Sequence, residues 1–360
     1  MSTGQFSLQA IAASVPGLRI HRLDFPELHF SEFAFDTRRL PDAAGSLFVA
    51  LSGEQRDGHA FVLDAYNKGV RHFLLSHAEV VPGPANVLLA ENCTLALQSI
   101  AAWYRSTLHY PILAITGSNG KTVVKEWLAS MLEPQFRLGK SPGSFNSQIG
   151  VPLSILDLQP GNDLGIIEAG ISKPGEMATL ASMIRPDLGI LTHFGDAHAE
   201  GFVDADEKLE EKLRLFTGCE TVFMGADNAA VLAKANHLAA NIITVGRAEQ
   251  ANLRVLQVRN HATGGLEIDL LEKGSSPTTI EAPFEGGAAL ENILLLVLVA
   301  RQLVVEHHAV AVPHQVGLSD AGTLVASVTR LFVQSFRATV CREVAFAELQ
   351  VFTQQGAGAR

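Results

Sequence analysis

Residues 116–122 read Thr-Gly-Ser-Asn-Gly-Lys-Thr, and this stretch decides how the rest of the chain is interpreted. It follows a short apolar run at 111–115 and leads into a helix-like stretch at 123–132. That order is typical of a phosphate-binding loop, in which glycine-rich backbone amides and a helix N-terminus face an anion. In such a loop Lys121 reaches the outer phosphates, and the hydroxyl of Thr122 holds Mg²⁺. The segment therefore predicts that the chain binds ATP or GTP.

The loop departs from the strict pattern G-x-x-x-x-G-K-[ST], because Ile115 stands where the first glycine belongs. An ordinary glycine turn that caps a strand is the alternative. The succession of strand, loop and helix favours the phosphate-binding interpretation.

Composition indicates a globular protein of more than one domain, since 360 residues exceed one ordinary core. A formal net charge of -10 argues against a general nucleic-acid binder, because no basic surface is available for phosphate backbones. We predict small-molecule partners and a cytoplasmic location.

No signal peptide is recognised, and the most apolar window, 293–300, is shorter than the roughly 17–25 residues of a membrane span. We expect that window to form a buried core helix.

The pattern predicts an α/β protein with a small α/β domain over 1–108 and a central parallel-sheet domain over 109–302. In the central part, apolar runs alternate with helical stretches such as 174–184 and 204–216, and such alternation implies helices on both faces of the sheet. The predicted parallel strands are 112–116, 164–168, 188–192, 221–224 and 242–245. Two further runs, 253–258 and 266–271, predict an antiparallel hairpin.

Polar residues follow the predicted strands, where ligands of parallel sheets gather. Glu168 ends the second strand and is a natural Mg²⁺ ligand beside Thr122, although it can equally stabilise the turn that follows. After the third strand, His193, His198, an aspartate and a glutamate lie close together in sequence. The sequence alone does not choose between the two histidines.

The stretch 204–216 has apolar residues on one helical face and charges elsewhere, including Lys208 and Lys212. On its own it predicts a solvated amphipathic helix. We expect no Ser-His-Asp or Cys-His catalytic constellation anywhere in the chain.

Four motifs together resemble the Mur ligases, which build the stem peptide of peptidoglycan. They are TGSNGKT at 116–122, SFNSQIGVPLSIL at 144–156, IIEAGISKPGEM at 166–177 and THFGDAHAEGF at 192–202. Near the N-terminus, DTRRL at 36–40 and GSLFVALSGEQRDGHAF at 45–61 resemble the uridine-nucleotide domain of the branch that adds D-alanyl-D-alanine. At several motif positions the residues are most similar to those of the form that some bacteria fuse to an alanine racemase.

The resemblance implies a role for each matching residue. ATP would be held by Gly117, Ser118, Asn119, Gly120, Lys121 and Thr122, with Asn292 at the adenine. The UDP-linked peptide would face Asp36, Thr37, Arg38 and Asn146. Metal would be bound by Thr122, Glu168, His198 and Lys212, the last as a carbamate formed with CO₂. Lys121, Lys212 and His198 would serve catalysis. Arg214 and His193 depart from the residues that many members have at these positions.

The implied reaction is the ATP- and Mg²⁺-dependent addition of D-alanyl-D-alanine to UDP-N-acetylmuramoyl-tripeptide through an acyl phosphate. Family members have a third, Rossmann-like domain, and residues 303–360 do not resemble it. We therefore expect an atypical tail, a truncated chain and weak or absent catalysis. The alternative is a remnant that binds nucleotide and UDP-sugar without forming the amide. A weaker alternative is a kinase or GTPase without any response to UDP-sugar.

Overall fold

The computed structural model describes residues 6–40, 42–53, 56–78, 81–195, 201–260, 264–282 and 288–311. The chain folds around two β-sheets that follow one another in sequence. The α-helices are α1 Leu8–Ser14, α2 Val62–Asn67, α3 Cys93–Thr107, α4 Lys121–Leu132, α5 Gly150–Asp157, α6 Glu176–Ile184, α7 Ala205–Leu213, α8 Ala229–Ala235 and α9 Ala288–Ala311.

The first sheet has five strands in the order β1-β5-β4-β3-β2. Only β1 runs antiparallel to its neighbour; the other pairs are parallel. The strands are β1 Arg19–Leu23, β2 Glu32–Ala34, β3 Ser46–Val49, β4 His72–Leu75 and β5 Asn86–Leu89.

The second sheet has nine strands in the order β14-β13-β12-β11-β10-β9-β6-β8-β7. It is parallel from β7 to β12, and β12, β13 and β14 form an antiparallel meander. The strands are β6 Ile112–Thr116, β7 Leu138–Lys140, β8 Leu164–Glu168, β9 Leu188–Leu191, β10 Thr221–Gly225, β11 Asn241–Gly246, β12 Leu253–Asn260, β13 Leu266–Glu272 and β14 Thr278–Ala282.

Both faces of the second sheet are buried, as its strand β6 illustrates. Ile112 and Ala114 point into a core shared with α3, α5 and α6, whereas Leu113 and Ile115 point into a second core shared with α4 and α9. This division follows from the two-residue period of a strand. The first core continues into the first sheet through α3, so one helix packs against both sheets. A third core fills the opposite face of the first sheet beneath α2.

The predicted α/β fold is confirmed, and the structure corrects details at its edges. In the second sheet the five predicted parallel strands and the hairpin are present, but β7 and β14 were missed. The predicted buried helix is present as part of α9. Helix α9 runs from Ala288 to Ala311, so the predicted boundary at 302/303 lies inside a helix. Residues 312–360, most of the predicted tail, lie outside the described residues. Within the described residues, no helix is both long and apolar enough to cross a membrane.

His72 is a titratable group buried within the first sheet. Its side chain is fully buried on β4, its ring centroid lies 5.1 Å from that of Phe30, and its Nε2 has no hydrogen-bond partner among the described residues. Burial lowers the pKa of His72 to about 4, with a smaller contribution from His29. The folded protein therefore holds this imidazole neutral.

We predict that His72 makes the protein less stable as the pH falls from about 6.5 to 4. The unfolded chain takes up the proton near pH 6.5 and the folded chain only near pH 4, so the unfolded state binds more protons in between. The contribution of this group to the free energy of unfolding should fall by up to about 1.4 kcal/mol per pH unit there. Urea unfolding at several pH values measures it. His72→Leu should flatten the dependence of the unfolding free energy on pH, whereas His237→Leu, at an exposed histidine, should leave it unchanged. Equal pH dependence in the two variants would refute the assignment to His72.

Candidate functional site

Two glycines give the loop after β6 its shape. Gly117 has a φ of 151° and Gly120 a φ of 86°, a region of backbone conformation that favours glycine. A methyl group added at Gly117 would lie 2.0 Å from Thr192 Oγ1, and one added at Gly120 would lie 2.6 Å from Asn292 Oδ1. The glycines are therefore required by close packing as well as by conformation.

The end of β9 holds this loop in place from the side. Thr192 Oγ1 donates a hydrogen bond of 2.7 Å to the Asn119 carbonyl, and Ser118 N donates one of 2.9 Å to the His193 carbonyl. The His193 side chain turns away to α9, where its Nδ1 lies 2.5 Å from Glu291 Oε2. His193 thus supports the loop through its backbone and connects it to α9.

Two lysines converge on one carbonyl of the loop. Lys121 Nζ donates to the Gly117 carbonyl at 3.1 Å, and Lys212 Nζ, which comes from α7, donates to the same oxygen at 2.9 Å. Burial, with smaller contributions from the charges of Lys121 and Lys208, lowers the pKa of Lys212 to about 7. Burial also lowers the pKa of Lys121. This close packing of cations indicates a site for a strongly anionic ligand.

The carboxylate of Glu168 lies at the carboxyl end of β8 and is fully buried. Its Oε2 accepts a hydrogen bond of 2.9 Å from Thr122 Oγ1, and its Oε1 accepts one of 2.7 Å from Asn146 Nδ2. Lys125 Nζ lies 3.6 Å from Oε2 and also donates to the Gly143 carbonyl. A buried carboxylate requires such compensation.

The oxygens of Thr122 and Glu168 fit a magnesium ion. Neighbouring ligands of an octahedral Mg²⁺ lie about 2.9 Å apart when each metal–oxygen distance is about 2.0–2.1 Å. The hydroxyl and carboxylate oxygens are 2.9 Å apart, and a hydroxyl, a carboxylate and phosphate oxygens are the ligands that this ion prefers. The pair predicted from sequence is therefore assembled in the structure.

A cleft with a volume of about 580 Å³ opens beside the loop. It is lined by the loop itself, by Asn146 to Ile149, by Gly170 to Ser172, and by Lys208 and Lys212 of α7. A smaller cavity of about 200 Å³ lies at the ends of β9, β10 and β11 and is bounded by Glu291 and Leu294 of α9. Asn292 packs on Gly120 instead; it is buried, and its Oδ1 has no partner among the described residues.

The predicted UDP-facing residues of the N-terminal part lie at the end of β2. Arg38 donates from Nε and Nη2 to the two carboxylate oxygens of Asp36, at 2.9 and 2.7 Å, and holds the pKa of that carboxyl well below its usual range. Thr37 is buried, and its carbonyl accepts a hydrogen bond from Lys68. Asp36 also lines a groove of about 350 Å³ that runs past Phe145 to α5.

The structure therefore separates the predicted site residues into two places. Lys121, Lys212 and Asn146 line the loop cleft together with Gly117, Ser118 and Asn119 of the loop. Thr122 and Glu168 lie beside it and are joined to it through Asn146. Asp36, Thr37 and Arg38 lie at the first sheet, so Asn146 is grouped with the loop and apart from them. His198 lies outside the described residues.

Two lysines of the site were missed by the sequence analysis. Lys125 follows Lys121 by four residues and therefore lies on the same face of α4. Lys208 precedes Lys212 by four residues, which places it on the face of α7 that lines the cleft. The interpretation of 204–216 as a solvated helix did not use this spacing, although the spacing was the available signal.

A Ser-His-Asp arrangement, which the sequence analysis did not expect, is present in the N-terminal part. His59 Nδ1 lies 2.7 Å from Asp57 Oδ1, and its Nε2 lies 3.2 Å from Ser76 Oγ. However, the backbone N–H of Ser76 also donates to His59 Nε2, at 3.0 Å. That bond occupies the lone pair a general base would need. The group therefore holds the loop before α2 against the end of β4 and does not form a catalytic triad.

Comparison with known proteins identifies the central part of the chain. Residues 115–300 match the model of the Mur ligase middle domain. Over 188 residues the chain is 35% identical to the UDP-N-acetylmuramoyl-tripeptide--D-alanyl-D-alanine ligase of Bacillus subtilis (strain 168). The aligned region covers 51% of this chain and 40% of that protein. It is 36% identical over 196 residues to the enzyme of the same name from Escherichia coli (strain K12), covering 54% of this chain and 42% of that protein.

Solved structures share the fold. MurF from Acinetobacter baumannii aligns with a TM-score of 0.76 and 20% identity, covering 93% of this chain and 69% of that chain. MurF ligase from Thermotoga maritima in complex with ADP aligns with a TM-score of 0.67 and 23% identity, covering 81% of this chain and 65% of that chain. The chain thus matches less than half the length of the two curated relatives named above.

We predict that Gly120→Ala damages the loop by more than its backbone strain alone. Gly274 has the same φ of 86°, but no atom lies where its Cβ would be, so Gly274→Ala measures the strain separately, at roughly 1 kcal/mol. Gly120→Ala also pushes against Asn292 and should cost at least about 1 kcal/mol more. Urea unfolding of both variants measures the difference.

The double variant Gly120→Ala/Asn292→Ala provides the control for this contact. It should recover part of the additional loss, because the group that meets the new methyl is removed. Equal losses at Gly120 and Gly274 would show that the packing of Asn292 on the loop does not restrict this position.

Proposed function

Because this chain belongs to the Mur ligase family, we propose that it is an ATP-dependent ligase that adds D-alanyl-D-alanine to UDP-N-acetylmuramoyl-tripeptide. The names of the curated relatives support this substrate pair. The observation that carries the proposal is the convergence of Lys121 and Lys212 on the loop carbonyl beside the Thr122–Glu168 pair. We propose that the reaction takes place in the cytoplasm.

The proposed chemistry has two steps, and neither needs a side-chain nucleophile. A terminal carboxylate oxygen of the tripeptide attacks the γ-phosphorus of ATP, and ADP leaves. The amine of D-alanyl-D-alanine then attacks the acyl carbon, phosphate leaves, and the amine loses a proton as the amide forms. Lys121 offsets negative charge where two anions approach each other, and the loop amides orient the phosphates.

A magnesium ion fits this proposal, and its ligands would be Thr122 and Glu168, with His198 and a carbamoylated Lys212 at a second ion. When bound, Mg²⁺ would neutralise part of the negative charge on the phosphates. Lys125 and Asn146 hold the Glu168 carboxylate in position from its other sides.

Carbamoylation of Lys212 is supported by the surroundings of its amine. The nitrogen of a neutral amine attacks the carbon of CO₂, a proton is released to water, and a cation becomes an anionic oxygen ligand. A pKa of about 7 leaves a substantial neutral fraction at physiological pH. Burial, the main cause of that shift, also protects the product from water.

Further assignments belong to the same proposal. The N-terminal part, 1–108, would bind the UDP moiety through Asp36, Thr37 and Arg38, and the central part, 109–302, would bind ATP. The small cavity beside α9 would take the adenine. Asn292, which packs on Gly120, would contact it from the loop side. Asn146 would meet the peptide where it enters the cleft.

A second candidate function is binding of ATP and UDP-sugar without ligation. It remains because the curated relatives are matched over 40% and 42% of their length. Phosphate release that requires both UDP-tripeptide and D-alanyl-D-alanine favours the ligase; binding of both ligands without such release favours the second candidate.

We predict that Lys121→Ala lowers this substrate-dependent phosphate release by roughly a hundredfold or more. The lost charge acts where the phosphoryl group moves, and its removal costs about 3 kcal/mol of transition-state stabilisation. A coupled phosphate assay measures the rate. Lys273→Ala, at an exposed lysine in the turn before β14, should keep the wild-type rate. Equal rates in both variants would contradict the assignment of Lys121.

We predict that Lys212 carries a carbamate at pH 8 and loses it as the pH falls toward 6. The amine is increasingly protonated below its pKa of about 7, and a protonated amine does not react with CO₂. Carbon-13 NMR with labelled bicarbonate should show a carbamate signal that is absent in Lys212→Ala and present in Lys273→Ala. A short carboxylic acid should partly restore Mg²⁺-dependent activity to Lys212→Ala. A signal that persists in Lys212→Ala would assign the carbamate elsewhere.

A further inference from the structure

Lys125 is a fully buried cation beside the two oxygens that fit a magnesium ion. Its side chain extends from α4 and is completely shielded from water. Its Nζ lies 3.6 Å from Glu168 Oε2, the same oxygen that accepts a hydrogen bond of 2.9 Å from Thr122 Oγ1. One of the two oxygens proposed as metal ligands therefore has a positive charge of the protein next to it.

Two further contacts hold this ammonium in place. It lies 3.2 Å from Glu126 Oε1, and it donates a hydrogen bond to the Gly143 carbonyl in the loop after β7. Movement away from Glu168 would leave buried charges without compensation, which costs several kcal/mol per ion in proteins. The ammonium of Lys125 is therefore a fixed neighbour of the Glu168 carboxylate.

Lys125 differs in this respect from Lys121, which lies one turn earlier on the same face of α4. Lys121 lines the loop cleft, so the phosphates of a nucleotide can meet its charge. The side chain of Lys125 is 0% exposed, and a ligand in the cleft cannot contact it. Its charge therefore acts on Glu168 whether or not a nucleotide is bound.

We propose that Lys125 makes the binding of magnesium depend on the nucleotide. This inference rests on the proposed ligase function and names Lys125 as a positioning residue that acts through Glu168. An ion bound to Glu168 Oε2 at about 2.1 Å would lie within about 6 Å of the ammonium, and like charges at such distances repel one another strongly away from water.

The consequence concerns the order of binding. Because Lys125 already neutralises the carboxylate, the protein alone attracts a divalent cation weakly. The phosphate oxygens of ATP supply the negative charge that is missing, so the ion and the nucleotide enter the site together. A residue that served only to hold Glu168 in its rotamer would have the opposite effect, since its loss would weaken metal binding.

The test measures binding of Mn²⁺, which prefers the same oxygen ligands as Mg²⁺ and is detected by electron paramagnetic resonance. In the absence of nucleotide, Lys125→Met in the 360-residue chain should bind Mn²⁺ at least about tenfold more tightly than the wild type, because one opposing charge is removed. The double variant Lys125→Met/Glu168→Gln should lose this gain, which assigns it to the Glu168 carboxylate.

Lys140→Met is the matched control. Lys140 belongs to the same charge network but pairs with Glu126, at 2.7 Å. Its removal should change the affinity for Mn²⁺ by less than about threefold, as expected for a partly exposed ion pair.

Thermal unfolding provides a second readout. With a chelator present, Lys125→Met should unfold at a lower temperature than the wild type, because Glu168 loses its buried counterion. Mn²⁺ should raise the unfolding temperature of the variant by more than that of the wild type. Should Lys125→Met not fold, Lys125→Gln removes the charge and keeps a hydrogen-bond donor for the Gly143 carbonyl, and the same results are expected from it.

The possible failures are distinguishable. If Mn²⁺ does not strengthen the binding of a non-hydrolysable ATP analogue to the wild type, the magnesium site of the proposed ligase fails and this inference fails with it. If Mn²⁺ does strengthen it, but Lys125→Met binds Mn²⁺ alone no more tightly than the wild type, only the inference is overturned. An equal gain in Lys140→Met also overturns it, because the effect would then come from the overall charge of the protein.

Discussion

The buried carboxylate of Glu168 is the interaction on which the rest of the site depends. It is fully shielded from water, so its charge must be compensated by the groups around it. Thr122, Asn146 and Lys125 supply that compensation from three directions. Because these residues come from α4 and from the loop before α5, satisfying one carboxylate fixes the first turn of the phosphate-loop helix against the adjacent strand end. Lys140 extends the network through Glu126, which also lies 3.2 Å from Lys125.

The opposite electrostatic condition exists on the other side of the loop. There Lys121 and Lys212 share a single carbonyl acceptor, and the charge of Lys208 contributes to lowering the pKa of both. Like charges this close oppose folding unless an anion joins them or one of them is neutral. A phosphate group would satisfy the first condition, and the lowered pKa of Lys212, about 7, allows the second, because the amine is then partly neutral. The buried oxygens of Ser118 and Asn292, which lack partners among the described residues, add further polar capacity beside the loop.

Much of this arrangement could be predicted because it depends on local sequence. The apolar run before Thr116, the glycines at 117 and 120 and the lysine at 121 specify strand, turn and helix within a few residues, and all three are present. Glu168 was found because it ends a buried strand. Other features depend on long-range contacts. The short edge strand β7 has three residues and little apolar pattern, and the packing of Asn292 on Gly120 joins residues that are far apart in sequence. The domain boundary near 302 was placed inside α9 because composition changes there while the helix continues.

Two polar clusters among the described residues show why composition alone does not identify a reactive site. Asp57, His59 and Ser76 have the residue types of a hydrolase triad at short distances, yet the Ser76 backbone N–H already uses the histidine lone pair. The cluster is satisfied internally and serves to hold a loop. In the loop cleft, by contrast, Lys121 and Lys212 share one carbonyl acceptor, so an anionic ligand lowers their energy. Reactivity therefore depends on which hydrogen-bond donors and acceptors remain available to a substrate after the groups of the protein have bonded to one another. This criterion favours the loop cleft as the functional site.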